Sequence, residues 1–154
     1  MPLHRLLYTS EMALVGSEAD IRQQVAEIVS RSVARNATDG LTGALLQTRG
    51  VFIQALEGPL AAIEATFERI CCDLRHRRVE LQEFVRADGR VFGEWSMVSI
   101  TPDRTIEKLF SAADLLSEQE HEAMSAQATI GLMRSLLLTG SVPMTGLRSA
   151  LAGG

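Results

Sequence analysis

Residues Val51–Leu56, VFIQAL, make a strand that is apolar on both faces and interrupted by a single primary amide, Gln54. Side chains alternate along a strand, so Phe52, Gln54 and Leu56 share one face, with Ile53 and Ala55 on the other. The first strand, His4–Tyr8, behaves likewise: His4, Leu6 and Tyr8 face one way, Leu3 and Leu7 the other. Strands of this kind belong at the centre of a sheet that is covered on both sides. The chain must therefore supply two separate covering layers.

The first layer is legible in two helical periods. Ser17 precedes apolar residues at Ile21, Val25, Ile28, Val29 and Val33, with Ser17-x-x-Asp20 as an imperfect capping box, and polar Arg35–Gly40 ends the helix. Strands Leu41–Gln47 and Val51–Glu57 follow, joined by Thr48-Arg49-Gly50. Gly58-Pro59 opens a second helix with Leu60, Ile63, Phe67, Ile70 and Leu74 on one face, running to about Asp73. Arg75–Arg78 reads as a basic break, then Val79–Val85 and Trp95–Ile100 as strands. The order βαββαβ with an appended β predicts an α+β, ferredoxin-like sandwich. Its mixed sheet of five strands carries both helices on one face and, in this reading, holds the first and third strands side by side and parallel.

The second layer falls to the C-terminal third. A short helix is expected around Ile106–Phe110, and a longer one from the S-x-x-E box at Ser117–Glu120 to Gly140. Expected boundaries are a domain over 1–100, a two-helix cap over 101–140 and a flexible tail over 141–154.

Charge and composition narrow the function. With 15 Lys+Arg against 19 Asp+Glu the net charge is -4, and aromatics make up 5% of the chain. Neither a basic field for phosphates nor a stacking platform for bases is available, which argues against direct nucleic-acid binding. Cys71 and Cys72 are adjacent, and His4, His76 and His121 are scattered, so no metal site is expected. No apolar stretch suits a signal peptide or a membrane span, and a cytoplasmic location with reduced thiols follows as the expectation.

Each polar residue near the core has an ordinary explanation. Tyr8 could be a core phenol, Asn36 a helix cap, Arg69 and Asp73 a surface pair four residues apart on the second helix, and Trp95 and Met97 core filler. Their combination is less ordinary. An amide buried without partners costs about 1–3 kcal/mol, and Tyr8, on the matching face of the neighbouring strand, can be the partner of Gln54. Asn36, Arg69 and Asp73 then project toward the gap between the two helices above that face. A flat heterocycle with carbonyl acceptors and an imide donor would satisfy such a lining.

At these residues the chain resembles the BLUF family of flavin-binding blue-light sensors, from about Leu3 to Ile100. The resemblance rests on LHRLLYTS, ARNATDGLTGALL (Ala34–Leu46), GVFIQALEGP (Gly50–Pro59), FERICCDLRHRRV (Phe67–Val79) and RVFGEWSM (Arg90–Met97), in that order. It implies a flavin, FAD, with FMN or riboflavin as alternatives. Asn36 would hydrogen-bond the pyrimidine edge, assisted by Arg69 and Asp73, and Arg35 would tune the ring's hydrogen bonding. Ile28, Ser32, Phe52 and Ile70 would line the ring, Ile28 and Ile70 from opposite sides. Tyr8 would donate an electron and a proton on blue excitation, and Gln54 would be left rotated or tautomerised. Trp95 and Met97, two apart on the last strand and so on one face, would relay the change, either one bordering Gln54.

The implied function is a blue-light photoreceptor rather than an enzyme. It would signal through the last strand and the C-terminal helices to a downstream protein partner or a homo-oligomer. Two other readings remain: a flavin redox protein, which would need a substrate cleft and a catalytic acid or base, and a cofactor-free ferredoxin-like interaction module with Gln54 as a structural amide.

Overall fold

The computed structural model describes residues 2–48, 50–100 and 125–138. Strand β1 (Leu3–Met12) is followed by helix α1 (Glu18–Asp39), strands β2 (Thr42–Thr48) and β3 (Val51–Pro59), and helix α2 (Leu60–Cys71). Strands β4 (His76–Ala87) and β5 (Val98–Ile100) come next, and helix α3 (Ala126–Leu138) closes the described chain. The five strands form one mixed sheet in the order β4-β1-β3-β2-β5. This is the ferredoxin-like α+β architecture expected from the element order.

One strand direction differs from expectation. β1 and β3 are neighbours, but they run antiparallel, as do β1 with β4 and β2 with β3; β2 and β5 are the parallel pair. The crossover through α1 brings β2 back in the same direction as β1, leaving a gap of one strand between them. The hairpin from β2 then reverses the chain and drops β3 into that gap, so β3 must oppose β1. The register still sets Tyr8 directly across from Gln54.

Local chemistry fixes the helix ends. Ser17 Oγ accepts from the Asp20 N–H at 3.2 Å, and the Asp20 carboxylate accepts from the Ser17 N–H at 3.0 Å, so the short Asp side chain closes a full capping box. Gly40 ends α1 with φ 73°, in the left-handed region, and its N–H donates to the Asn36 carbonyl. α2 stops at Cys71, which leaves Leu74 beyond the helix and 90% exposed rather than on its buried stripe. The Arg75–Arg78 segment is not a break, because β4 begins at His76. As the edge strand, β4 can carry Arg77 and Arg78 toward solvent, where charges also discourage edge-to-edge association.

Both faces of the sheet are covered. On one, Leu6, Tyr8, Phe52 and Leu56 pack with Val25, Val29, Leu45, Ile63 and Met97, beneath α1 and α2. On the other, Leu7, Ala44, Leu46, Ile53 and Ala55 pack with Trp95, Val98 and Ile100 against Ile130, Met133, Leu136 and Leu137 of α3. The two-sided strands thus obtain the two covers that their sequence requires. The helix expected at Ile106–Phe110, the Ser117–Glu120 box and the 141–154 tail lie outside the described residues.

The last strand is shorter than expected. β5 starts at Val98, and residues 90–97 form an irregular segment in front of it. Trp95 and Met97 therefore do not share a face. Trp95 belongs to the cluster under α3, and Met97 to the cluster under α1.

Gly43 marks a close approach between β2 and β3. A Cβ there would stand 2.1 Å from the Ala55 carbonyl oxygen, a backbone atom that cannot step aside. Overpacking of that kind costs about 1–3 kcal/mol or more. Gly43→Ala is accordingly expected to lower stability by at least that amount in chemical denaturation, and an unchanged midpoint would contradict the close packing.

Candidate functional site

The site is built on the face of the sheet that lies under α1 and α2. Tyr8 and Gln54 meet across the β1–β3 ladder, and the Tyr8 hydroxyl donates to Gln54 Oε1. Both side chains are buried, Tyr8 completely. Burial drives the Tyr8 phenol far above its ordinary pKa, and charge at Cys71 and Asp73 pushes in the same direction. Tyr8 therefore holds its proton at any ordinary pH and can act as donor. With Oε1 so engaged, Gln54 turns Nε2 toward Met97 Sδ at 3.8 Å. A thioether is a weak acceptor, which leaves the donor side of this amide with capacity for a better one.

Above Gln54 a cleft with about 170 Å³ of water-accessible space opens between the helices. Ile28, Ser32, Arg35 and Asn36 line it from α1, and Arg69 and Ile70 from α2. Gln54 and Leu45 lie on the sheet side; Asp73, Arg75 and His76 close the end beyond α2. Eight of the nine residues expected to bind a cofactor thus border one cavity. Phe52 is the exception: it lies buried with its ring 4.9 Å from that of His76, which intervenes as a lining group.

Two expected partnerships are different in the structure. Asp73 is not on the second helix, because α2 ends at Cys71, so the four-residue spacing from Arg69 does not bring the two together. Asp73 instead pairs with Arg75, whose Nε and Nη2 donate at 2.5 to 3.1 Å. The hydrogen bonds from Arg75 hold the Asp73 carboxyl below its ordinary range, and Asp73 in turn raises Arg75. Arg69 donates to Thr66 Oγ1 at 3.1 Å and stands 4.0 Å from Asp39. Asn36 is not itself the left-handed cap, a place taken by Gly40. Its side chain is buried and Nδ2 donates to the Ser96 carbonyl at 2.8 Å.

Five lining residues were missed by the sequence reading: Arg31, Leu45, Thr66, Arg75 and His76. For three of them a signal existed. Arg31 is one turn before Arg35, Thr66 one turn before Ile70, and Leu45 sits opposite Gln54 in the β2–β3 register. Arg75 and His76 had none, because their position depends on where α2 stops. His76 is hydrogen-bonded to Ser10 Oγ at 2.9 Å, and its ring lies 6.1 Å from that of Tyr8.

The lining chemistry fits a flat, polar-edged ring. Ile28 and Ile70 offer apolar walls, while Asn36, Gln54 and the Asp73–Arg75 pair offer donors and acceptors. Arg31, Arg35 and Arg69 add cationic groups around the cavity, suited to an anionic substituent. Among the described residues no group of three or more His, Cys, Asp or Glu could hold a metal ion. No described helix is long and apolar enough to cross a membrane.

A buried Tyr–Gln pair beneath a two-helix cleft defines a cofactor-binding domain of ferredoxin-like topology. The BLUF family, sensors of blue-light using FAD, matches residues 3–98, and the chain belongs to that family of flavin-dependent blue-light photoreceptors. Photoactivated adenylate cyclase subunit beta of Euglena gracilis is 33% identical over 102 residues, covering 66% of this chain and 11% of the relative. The alpha subunit from the same organism is 29% identical over 125 residues, covering 81% and 12%. The chain thus spans only a small part of these curated relatives, and the match does not extend over their remaining length. Among solved structures, the photo-activated state of BlsA superposes with a TM-score of 0.72 at 25% identity, covering 92% of this chain and 99% of BlsA. The dark state of BlrB superposes with a TM-score of 0.69 at 27% identity, covering 90% and 97%.

Burial, opposed in part by Asp73, holds the His76 imidazole below its ordinary 6.5. The folded chain then binds fewer protons at His76 than the unfolded chain, so this contribution to stability is present above 6.5 and is lost as pH falls through the lower folded value. His76→Gln, which keeps a hydrogen-bonding group beside Ser10, is expected to flatten the fall in thermal midpoint as pH drops from 6.5 toward that lower value. An unaltered pH profile would contradict the assignment.

Proposed function

We propose that this chain is a photosensor in which Tyr8 and Gln54 form the light-operated switch, FAD is the chromophore, and the output passes to a protein partner. The observation that carries the reading is the buried hydrogen bond from the Tyr8 hydroxyl to Gln54 Oε1, directly beneath a cleft that Gln54 also lines. A bound flavin supplies the blue-light absorption and an excited ring able to accept an electron.

The residues of the chain do the rest. Tyr8 is the electron donor, and it passes the proton on its hydroxyl toward Gln54 Oε1. Gln54 then rotates or tautomerises. An amide presents a carbonyl on one side and N–H groups on the other, so rotation exchanges what it offers to Tyr8, Met97 and the cleft. Asn36 has Nδ2 committed to Ser96, which leaves its carbonyl oxygen to accept from an imide. Asp73, held by Arg75, orients the same edge, and Ile28, Ser32 and Ile70 exclude water from the ring. Arg35 tunes the ring's hydrogen bonding from α1. FAD is favoured over FMN or riboflavin because Arg31, Arg35 and Arg69 can accommodate a diphosphate.

Met97 reads the new state of Gln54, and Trp95, on the opposite side of the sheet, passes it to α3. On this reading the chain has no catalytic turnover of its own and works in the cytoplasm through a downstream protein or a second copy of itself. The cyclase activity named in the relatives belongs to those proteins.

The test is the absorption spectrum of the purified protein before and after blue light. A yellow protein with a small, reversible red shift is expected, lost in both Tyr8→Phe and Gln54→Ala while flavin remains bound. A protein that takes up no flavin on reconstitution, or a shift that survives Gln54→Ala, would overturn the reading. Met97→Ala is expected to keep most of the shift but to weaken light-dependent changes in proteolysis beyond Ile100. Unchanged light dependence in that variant would exclude Met97 from the relay.

A further inference from the structure

Glu57 is a carboxylate with no exposure at all, three residues beyond Gln54 on β3 and so on the other face of the sheet, and the switch described above does not use it. Its oxygens accept three hydrogen bonds. The Arg5 guanidinium donates through Nε at 2.9 Å, and the backbone N–H groups of Val91 and Phe92 donate at 2.7 Å each. Burying a carboxylate is costly unless its lone pairs are satisfied, and here two of the three donors come from one irregular segment. Arg90 clamps the same segment from the other side, donating to Thr42 Oγ1 at 2.8 Å and to the carbonyls of Gly40 at 2.9 Å and Glu57 at 3.2 Å.

That segment, residues 90–97, touches both halves of the sensor. At its far end the Ser96 carbonyl holds the Asn36 side chain and Met97 Sδ meets Gln54. On the other side of the sheet Trp95 packs under α3, and Arg134 of α3 donates to the Val91 carbonyl. Val91 is thus held by Glu57 through its N–H and by α3 through its carbonyl. Regular strand pairing begins only at Val98; in front of it β2 holds the segment at a single point, where the Gly43 N–H donates to the Trp95 carbonyl at 3.0 Å, and Val91 and Phe92 lie beyond that point.

We propose that Glu57 is a positioning residue for the light switch: its carboxylate anchors the 90–97 segment, and through it sets Met97 on Gln54 and the Val91 attachment point of α3. The proposal rests on the reading of Gln54 as the switch, and it assigns Glu57 no contact with a cofactor. With the anchor in place, Gln54 must turn back past a Met97 whose backbone is fixed. With the anchor weakened, that return meets less resistance.

The test uses the full chain carrying its flavin, with Glu57→Gln as the variant. Gln keeps the shape but offers one acceptor oxygen where the carboxylate has two, and it sets an N–H₂ group against a backbone donor. Flavin content and the amplitude of the light-induced shift are expected to remain, while recovery in the dark accelerates about threefold or more. A recovery rate that is unchanged or slower would overturn the proposal. Amide hydrogen exchange of the unsubstituted dark protein tests it without any variant: the Val91 and Phe92 amides should exchange as slowly as the amides of β3. Rapid exchange there, like that of an exposed loop, would overturn the anchor even if Glu57→Gln failed to fold. A wild-type protein with no light-induced shift would refute the switch reading, while the exchange of those two amides would still report on the anchor.

Discussion

A single hydrogen bond, from the Tyr8 hydroxyl to the carbonyl of Gln54, reconciles the chemistry of this site with the demands of its fold. β3 is a central strand apolar on both faces, and such a strand leaves a buried amide few partners. Tyr8 supplies one from the adjacent strand, at the position directly opposite in the register. Because Tyr8 is entirely buried it stays neutral and keeps the proton to donate. The other end of the amide has only a thioether to meet, so Gln54 is satisfied on one side and under-satisfied on the other. An amide held that way has donor capacity left over, which the proposed rearrangement of Gln54 would use.

The surrounding layers follow from the same strand. One face of β3 needs α1 and α2, and their separation above Gln54 is the cleft. The other face needs α3, which lies on the reverse side of the sheet from Tyr8 and Gln54. The irregular 90–97 segment is in contact with both faces. It contributes Met97 to one face and Trp95 to the other. Tyr8 and Trp95, the chain's only Tyr and only Trp, therefore lie on opposite sides of the sheet.

Much of this was legible in the sequence, for identifiable reasons. Alternation in VFIQAL and LHRLLY fixed which residues share a face, and the ends of the two helices pointed Asn36 and Arg69 toward the cleft, while Ile28, Ser32, Arg35 and Ile70 came from the resemblance to the BLUF family. What failed depended on where elements stop. α2 ends two residues before Asp73, and that displacement exchanges an Arg69 pairing for an Arg75 one and adds His76 to the lining. β5 begins three residues after Trp95, so two-residue alternation does not apply to Trp95 and Met97. The direction of β3 relative to β1 was misread although the order of elements already determines it. Glu57 had one legible partner, Arg5, opposite it in the register of β1 and β3, but its two backbone donors lie more than thirty residues away in an irregular segment.

The central claim is that Tyr8 and Gln54 change their hydrogen bonding when the protein absorbs blue light. Because the chain contains one tyrosine, ring-labelled tyrosine reports on Tyr8 alone. Light-minus-dark infrared difference spectra of labelled and unlabelled protein should therefore differ in the tyrosine C–O stretching region, and Gln54→Ala should remove that difference. Identical difference spectra with and without the label would mean that Tyr8 is a bystander, and would contradict the account.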